Sequence, residues 1–383
     1  MADAESRPPR RRRHAAPGMP LPDTVALVLQ GGGALGSFQA GVIEELAAAE
    51  IEIDWVAGIS IGAVNAALFA GNPPQRRLEA IHAFWDQVTS ALPEFLPSLN
   101  DQAREIAHAW SAGAVMLGGV PGFFRPRPIP PIFAAPGTPG ALSYYDTTPL
   151  RETLDRLVDW DLLNNGPVRL SVGAVNIQSG NFRYFDTRDE RIDARHIMAS
   201  GALPPGLPPV EIDGCWYWDG GLVSNTPLTH VLDRQEAEML VFQVDLFPAA
   251  NELPRTMTDV LGREKEIRYS SRTRAISDER LRLRNARETV RRLLEKLPDH
   301  IADEPEVKAV RELVTEYPVN IVQLIYRAKL WEGDSRDYEF STRTMREHWE
   351  AGRIAVANTM ANSRLIAQNI LDGDTAAFDL TPR

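Results

Sequence analysis

The sequence holds one cysteine, Cys215, in 383 residues. No internal disulfide can form, which fits a reducing compartment and sets the expectation of a cytoplasmic protein. No apolar run reaches the length of a membrane-spanning helix, so any membrane contact is expected to be peripheral. Basic residues are in the minority: 41 Lys and Arg stand against 52 Asp and Glu, a net charge of −11. That balance excludes general nucleic-acid binding, though not a local basic surface. No Gly-Lys-Ser/Thr follows the glycine cluster at Gly31, so there is no Walker A loop. None of the seven histidines lies in a glycine-flanked loop after a strand, where the histidine of a serine triad is usually found. His230 is the least unsuitable of them, because it alone follows shortly after Asp219.

What is present is an ordinary apolar fraction, 44%, in a chain long enough for one large α/β domain with additions or for two domains. The first 22 residues carry Arg7 and Arg10–Arg13 among Pro and Ala, with no apolar stretch behind them, and read as a disordered basic tail. Order is expected from about Thr24. Val25–Leu29 is a short continuous apolar run, as in a buried parallel strand, and a glycine cluster and a helix follow it. A second apolar run, Asp54–Gly58, passes into Ala-rich helical sequence. The opening is therefore β–α–β–α, which predicts a parallel sheet with helices on its faces.

Gly58-Ile59-Ser60-Ile61-Gly62 sits at the junction of that second strand and helix. A serine on such a tight turn is pushed out where a substrate can reach it, and Gly58 and Gly62 allow strand and helix to approach. The pentapeptide alone arises by chance about once in ten chains of this length, so its flanking elements carry the weight. Gly31-x-Gly33-x-x-Gly36 has two readings. It matches a dinucleotide fingerprint, with Glu52 or Asp54 at a suitable distance for a ribose. Alternatively its backbone N–H groups face an oxyanion formed beside the serine. The serine turn at the end of the next strand favours the second.

From Leu92 to Leu142 the chain is rich in Pro and Gly with scattered large apolar residues. It reads as an irregular insertion packed on the core, or as a mobile apolar cover over an acyl-chain pocket. Helices are then expected near 148–163 and 195–203 and strands near 168–177 and 182–185. Val210–Ile212 and Cys215–Trp218 flank Asp213-Gly214, a hairpin signal for a type I′ turn. The second strand ends at Asp219-Gly220-Gly221. Alternation puts Asp219 on one side with Tyr217 and Cys215. Buried beside a serine, such an aspartate can act as its base, making a dyad. Met239–Phe247 is expected to close the sheet. Beyond Pro254 come one long helix or two over 258–297, a strand over 320–326 and a helix over 343–371.

Three motifs in this order, Gly31-Gly32-Gly33-Ala34-Leu35-Gly36, Gly58-Ile59-Ser60-Ile61-Gly62 and Asp219-Gly220-Gly221, resemble the patatin-like phospholipase family over about residues 24–250. The family often has Arg or Lys where this chain has Leu35. The resemblance implies a three-layer α/β fold with a mainly parallel central sheet across residues 23–250, and a mostly helical C-terminal extension over 251–383. It implies a lipid acyl hydrolase needing no metal or cofactor, with a Ser60–Asp219 dyad and an oxyanion hole from the backbone of Gly31, Gly32, Gly33 and Ala34. Gly36, Gly58, Gly62, Gly220 and Gly221 would be the motif glycines. The expected partner is a lipid or acyl ester. A soluble esterase or thioesterase, a nucleotide-binding protein and a non-catalytic lipid-binding regulator are the alternatives. Residues 255–297 carry 13 Lys and Arg against 7 Asp and Glu. This helix is expected either to touch anionic membrane surfaces or to pack on the domain with its arginines paired.

Overall fold

The computed structural model describes residues 13–15, 19–89, 101–298, 301, 303–314, 317–329, 332 and 335–380. Packing begins ahead of Thr24. Strand β1 (Arg13–Ala15) pairs antiparallel with β2 (Met19–Leu21), and Met19 and Leu21 are buried. The rest of the predicted tail, 1–12 and 16–18, lies outside the described residues. The β–α–β–α opening follows: β3 (Thr24–Leu29), α1 (Gly36–Ala48), β4 (Trp55–Gly58) and α2 (Ile61–Ala70). Every residue of α2 is buried, which its mostly apolar and small residues allow, and the one polar side chain, Asn65, is hydrogen-bonded with Gly36, Gln39 and Trp85.

The region expected to be irregular contains a helix. After α3 (Pro74–Thr89) comes α4 (Asp101–Gly118), which buries His108, Ala112 and Val115 at helical spacing. Its Ala-rich sequence favours that helix, and the prolines that obscured it lie outside it, at Pro93 and Pro97 and from Pro121 on. A two-stranded ribbon, β5 (Arg125–Pro126) with β6 (Tyr145–Asp146), closes the loop beyond. The helix expected over 148–163 is two, α5 (Thr148–Leu157) and α6 (Trp160–Asn165). Asp159 restarts it by accepting the Asp161 and Leu162 N–H groups. Then follow β7 (Arg169–Asn176), β8 (Phe182–Asp186), α7 (Ala194–Ser200) and the hairpin β9 (Val210–Ile212) to β10 (Cys215–Asp219). Asp213 and Gly214 both have positive φ, as the type I′ turn requires. Helix α8 (Leu228–Asp233) leads to β11 (Met239–Asp245).

β11 does not close the sheet. After the long α9 (Met257–Leu294) and α10 (Pro305–Val314), strand β12 (Val319–Ile325) pairs parallel with β11 along its whole length. Helices α11 (Thr342–Ala361) and α12 (Ser363–Asp372) follow, divided at Asn362, and β13 (Ala376–Asp379) pairs with β12. The sheet order is β13-β12-β11-β3-β4-β7-β10-β9, with β8 also on β7. The six strands from β13 to β7 are parallel and the others antiparallel. The C-terminal segment thus contributes two strands and a facing helix to the same core. Its α11 lies directly on α1: a Cβ at Gly41 would collide with the Trp349 carbonyl, and one at Gly352 with the Phe38 carbonyl.

The arrangement around β7 brings the two catalytic candidates together. β4 runs along one edge of β7 and stops with Gly58 opposite Val172. β10 then takes up the same strand further on, with Asp219 opposite Ala174, while β8 holds the other edge. The turn leaving β4 and the last residue of β10 therefore meet end to end.

Candidate active site

Ser60 is the first of these two groups. It caps α2 with φ 55° and ψ −124°, a strained backbone for any residue but glycine. The surroundings enforce it. A Cβ at Gly58 would strike the Gly62 backbone, and one at Gly62 would strike the Leu29 carbonyl. The Ser60 N–H donates to Ser200 Oγ at 3.0 Å, and Ser200 Oγ–H donates to the Gly173 carbonyl at 2.7 Å. Ser200, on α7, is thus a brace for the turn that no short motif marks.

Asp219 is almost wholly buried. Its Oδ1 accepts the Gly221 N–H at 2.7 Å, and the Ser60 side chain lies close enough to its carboxylate to favour the charged form. Burial pushes this carboxyl up to about 7, against the opposing pull of Gly221 and Ser60. A carboxylate poised near neutrality beside a serine hydroxyl is the electrostatic state that a general base requires. Gly220 fits beneath Gly173, with a Cβ position only 2.7 Å from the Gly173 carbonyl, and Gly221 gives the N–H.

The glycine loop passes on the other side of Ser60; a Cβ at Gly31 would lie 3.1 Å from that of Ser60. Of the four N–H groups expected to face an oxyanion, two are engaged elsewhere. Gly31 donates to the Asn225 carbonyl at 3.1 Å, and Ala34 to the Asp337 carbonyl at 2.9 Å. Among the described residues the N–H groups of Gly32 and Gly33 make no hydrogen bond, and both glycines line the cavity. Asn225 returns a bond from Nδ2 to the Gly31 carbonyl at 3.0 Å. Gln30, fully buried, accepts the Leu246 and Phe247 N–H groups and so ties the loop to the end of β11. Gly36 lies against Ile61 and Trp85, and Leu35 is buried in the core, directed away from the cavity.

Ser60, Asp219, Gly32 and Gly33 open on a cavity of about 400 Å³. Its far walls are apolar: Val115, Phe123 and Phe124 come from the insertion, and Leu203 and Leu207 from the segment before β9. Tyr269, Asp337, Tyr338 and Phe340, all from the C-terminal segment, complete the lining. Sequence reasoning named none of these four, because they reach the site from 50 or more residues beyond Asp219 and carry no spacing signal.

The rival readings of individual residues meet specific obstacles. Asp54 precedes β4, at the sheet edge opposite the glycine loop, where its Oδ2 accepts the Val25 N–H at 2.8 Å. Glu52, two residues earlier, also precedes β4, so neither acid is where a ribose would lie. His230 Nε2 sits 3.1 Å from Asp186 Oδ2, stacked on Tyr184, in a buried cluster with Arg169 and Ser171. The hydrogen bonds from these groups hold the Asp186 carboxyl well below the usual range in spite of its burial. No histidine lines the cavity among the described residues. No group of three or more His, Cys, Asp or Glu among the described residues could hold a metal.

Comparison with known proteins agrees with the motifs. The family model described as patatin-like phospholipase matches residues 27–232, and a second, described as patatin phospholipase, matches residues 267–369. Patatin-like phospholipase domain-containing protein 7 of Rattus norvegicus is 26% identical over 205 residues, 54% of this chain and 12% of that protein. Lysophospholipase NTE1 of Kluyveromyces lactis is 26% identical over 238 residues, 62% of this chain and 14% of that protein. The chain thus spans a small part of the length of these curated relatives. Among solved structures, human GIVD cytosolic phospholipase A2 aligns with a TM-score of 0.42 at 10% identity, covering 92% of this chain and 60% of that one. VipD from Legionella pneumophila aligns with a TM-score of 0.36 at 15% identity, covering 98% and 82%.

Proposed function

The chain belongs to the patatin-like phospholipase family, and we propose that it is a serine acyl hydrolase that cleaves lipid esters through a Ser60–Asp219 dyad. The observation that carries this reading is a buried carboxyl, raised to about 7, beside a serine on a strained turn at the floor of an apolar cavity. Ser60 Oγ attacks the ester carbonyl as Asp219 takes its proton. The tetrahedral oxyanion is met by the Gly32 and Gly33 N–H groups. Asp219 passes the proton to the departing alcohol oxygen as the C–O bond breaks, leaving an acyl ester on Ser60. Water then gives its proton to Asp219 and attacks that ester. Ser60 recovers the proton and the fatty acid leaves.

The apolar walls favour an acyl chain over the soluble esters of the alternative reading. So does the exposed surface of the insertion, other residues of which line the cavity. Leu117, Ile132 and Phe133 of the insertion are between 78% and 85% exposed, and Met116 and Tyr144 run from that surface into the cavity. Between Glu105 and Asp146 there is no acidic residue in 40 positions, where the composition of the chain would supply about five. Arg125 and Arg127 are the only Lys or Arg in that stretch. A surface of this kind fits the head-group and acyl boundary of a bilayer, so the contact is peripheral. No helix among the described residues is long and apolar enough to cross a membrane.

The test is hydrolysis of a panel of phospholipids, neutral glycerides and short soluble esters by wild type and Ser60→Ala, with fluorophosphonate labelling of both. We expect labelling and hydrolysis in wild type only, with lipid esters preferred. Hydrolysis by folded Ser60→Ala at the wild-type rate would exclude Ser60 as nucleophile. Preference for short esters would select the esterase alternative.

A further inference from the structure

The glycine loop is held from both ends. Asn225 anchors it before the two unengaged N–H groups, at Gly31, and Asp337 anchors it after them, at Ala34. The second anchor belongs to the C-terminal segment, and its setting is unusual. Arg336 and Asp337 lie between the loop and α9 and are paired in opposite senses with consecutive residues of that helix. Lys265 Nζ is 2.8 Å from Asp337 Oδ1, and Arg336 Nη2 is 2.6 Å from Glu266 Oε1. Glu266 also accepts from Arg263 and Asn251. The four side chains of the reciprocal pairs are at most 21% exposed.

The Asp337 backbone carries this fixation to the loop. Its carbonyl accepts the Ala34 N–H and occupies the space that a Cβ on Gly33 would need. Gly33 has a φ of 55° there, so the contact and the turn both demand glycine. The Lys265 ammonium also stands 4.8 Å from the ring centre of Tyr338, which lines the cavity. One turn along α9, the Tyr269 carbonyl accepts from Gln30 Nε2 at 3.4 Å, immediately before the loop. Burial pushes the Asp337 carboxyl above its usual range, and Lys265 opposes that push. Buried pairs like these add little net stability, since desolvation consumes most of their attraction, but they fix geometry.

We propose that Lys265 and Asp337, with Glu266 and Arg336 beside them, form a positioning clamp that fixes the Gly32 and Gly33 N–H groups relative to Ser60. The inference rests on the hydrolase reading above and gives the C-terminal segment a part in catalysis. Lys265 and Asp337 are positioning residues in this account: the donors are backbone groups, and the clamp sets where they point.

The clamp is tested in the full-length chain with 4-nitrophenyl butyrate as substrate. The probe for the oxyanion is an alkyl trifluoromethyl ketone, to whose carbonyl carbon Ser60 Oγ adds to give a hemiketal. For Lys265→Met the expected result is a kcat lower by about 10- to 100-fold with KM within about 2-fold, the size of loss that follows a shift of about 1 Å in a catalytic group. The inhibition constant of the ketone should rise by the same factor, and Lys265→Arg should recover most of both. Rates are taken per site titrated with fluorophosphonate, so a fall in folded protein alone leaves them unmoved. Wild-type kcat per site and ketone affinity in Lys265→Met would overturn the clamp, as would a loss confined to KM. Should Lys265→Met fail to fold, Asp337→Asn keeps the volume and an acceptor toward Lys265. A smaller matched loss, about 3- to 10-fold, is then expected in kcat and ketone affinity, and wild-type values would overturn the proposal. Failure of the hydrolase reading is a separate result, namely turnover that survives Ser60→Ala.

Discussion

The insertion between α3 and β6 and the helix α9 are the two regions that the composition singles out, and they differ in what they do with their side chains. The insertion is poor in charge, with only Arg125 and Arg127 between Glu105 and Asp146, and leaves large apolar groups exposed to water. The α9 stretch is dense in charge and carries a formal excess of about +6, and many of its charged side chains are held in pairs, mostly within the helix itself. Lys265 goes to Asp337, Arg263 and Arg336 to Glu266, Arg268 to Glu264 and Arg291 to Glu295. A net charge counted along a sequence therefore does not say which charges are held in pairs and which are left to solvent. What matters is which carboxylates the fold places beside it. The same is true of apolar content: equal numbers of Leu and Phe make a core or a docking surface according to what covers them.

The comparison presupposes a hydrolytic centre behind the apolar rim, and the largest expected effect addresses that centre. Asp219→Asn should lower kcat by about 10²- to 10⁴-fold, because the amide keeps the shape and cannot take the proton. In wild type, kcat/KM for a soluble ester should rise with pH through about 7 as Asp219 ionises. A pH-independent rate between 5 and 8 would sink Asp219 as base. The linked effect on stability has a definite sign. A carboxyl raised in the folded state favours folding while it is protonated, below the unfolded value near 4, and that contribution is lost as pH rises through about 7. The melting temperature of Asp219→Asn, measured against wild type, should therefore gain between pH 4 and pH 8.

The next effect separates the two regions directly. Replacing Leu117, Ile132 and Phe133 together by Asp should weaken binding to phospholipid vesicles by at least about 10-fold, since each large apolar side chain contributes about 1.5–3 kcal/mol when buried. Activity on 4-nitrophenyl butyrate should stay within about 2-fold, because these side chains stand outside the cavity lining. Co-sedimentation at low and high salt measures the first and ester turnover the second. Unchanged sedimentation would remove the rim as the membrane face. The smallest effect is expected on α9. Changing Arg282, Arg287, Arg291 and Arg292 to Gln, with residues 1–12 deleted, should alter vesicle binding by less than about 3-fold at physiological salt, where exposed charges are screened. A larger loss would reverse the comparison and make α9 the binding element.

Much of the site was legible because its parts are local. A strand that must stop, a serine that must turn and a helix that must start within five residues leave a mark in Gly58–Gly62, and the Asp-Gly-Gly at Asp219 leaves another. The loop N–H groups were only half legible. Sequence marks all four positions Gly31 to Ala34 alike, and it takes the positions of Asn225 and Asp337 to show that the outer two are anchors. The end of the sheet was misjudged at Phe247 because an edge and an interior strand can carry the same buried apolar run. Only the arrival of β12, about 75 residues later, shows β11 to be interior. Helix α4 was hidden by the prolines and glycines around it.

By itself the sequence determined the family, the opening β–α–β–α, the hairpin before Asp219 and the chemistry available, since turn type and the candidate nucleophile are written in contiguous residues. The tertiary structure decided what those residues could do together. It set β10 in the place along β7 that β4 leaves open, so that Asp219 reaches Ser60. It also buried that carboxylate enough to raise it to about 7, and it brought Asp337 to the far side of the glycine loop. Burial, and contact between residues more than a hundred positions apart, depend on how the layers close over one another. A linear pattern carries no record of that closure.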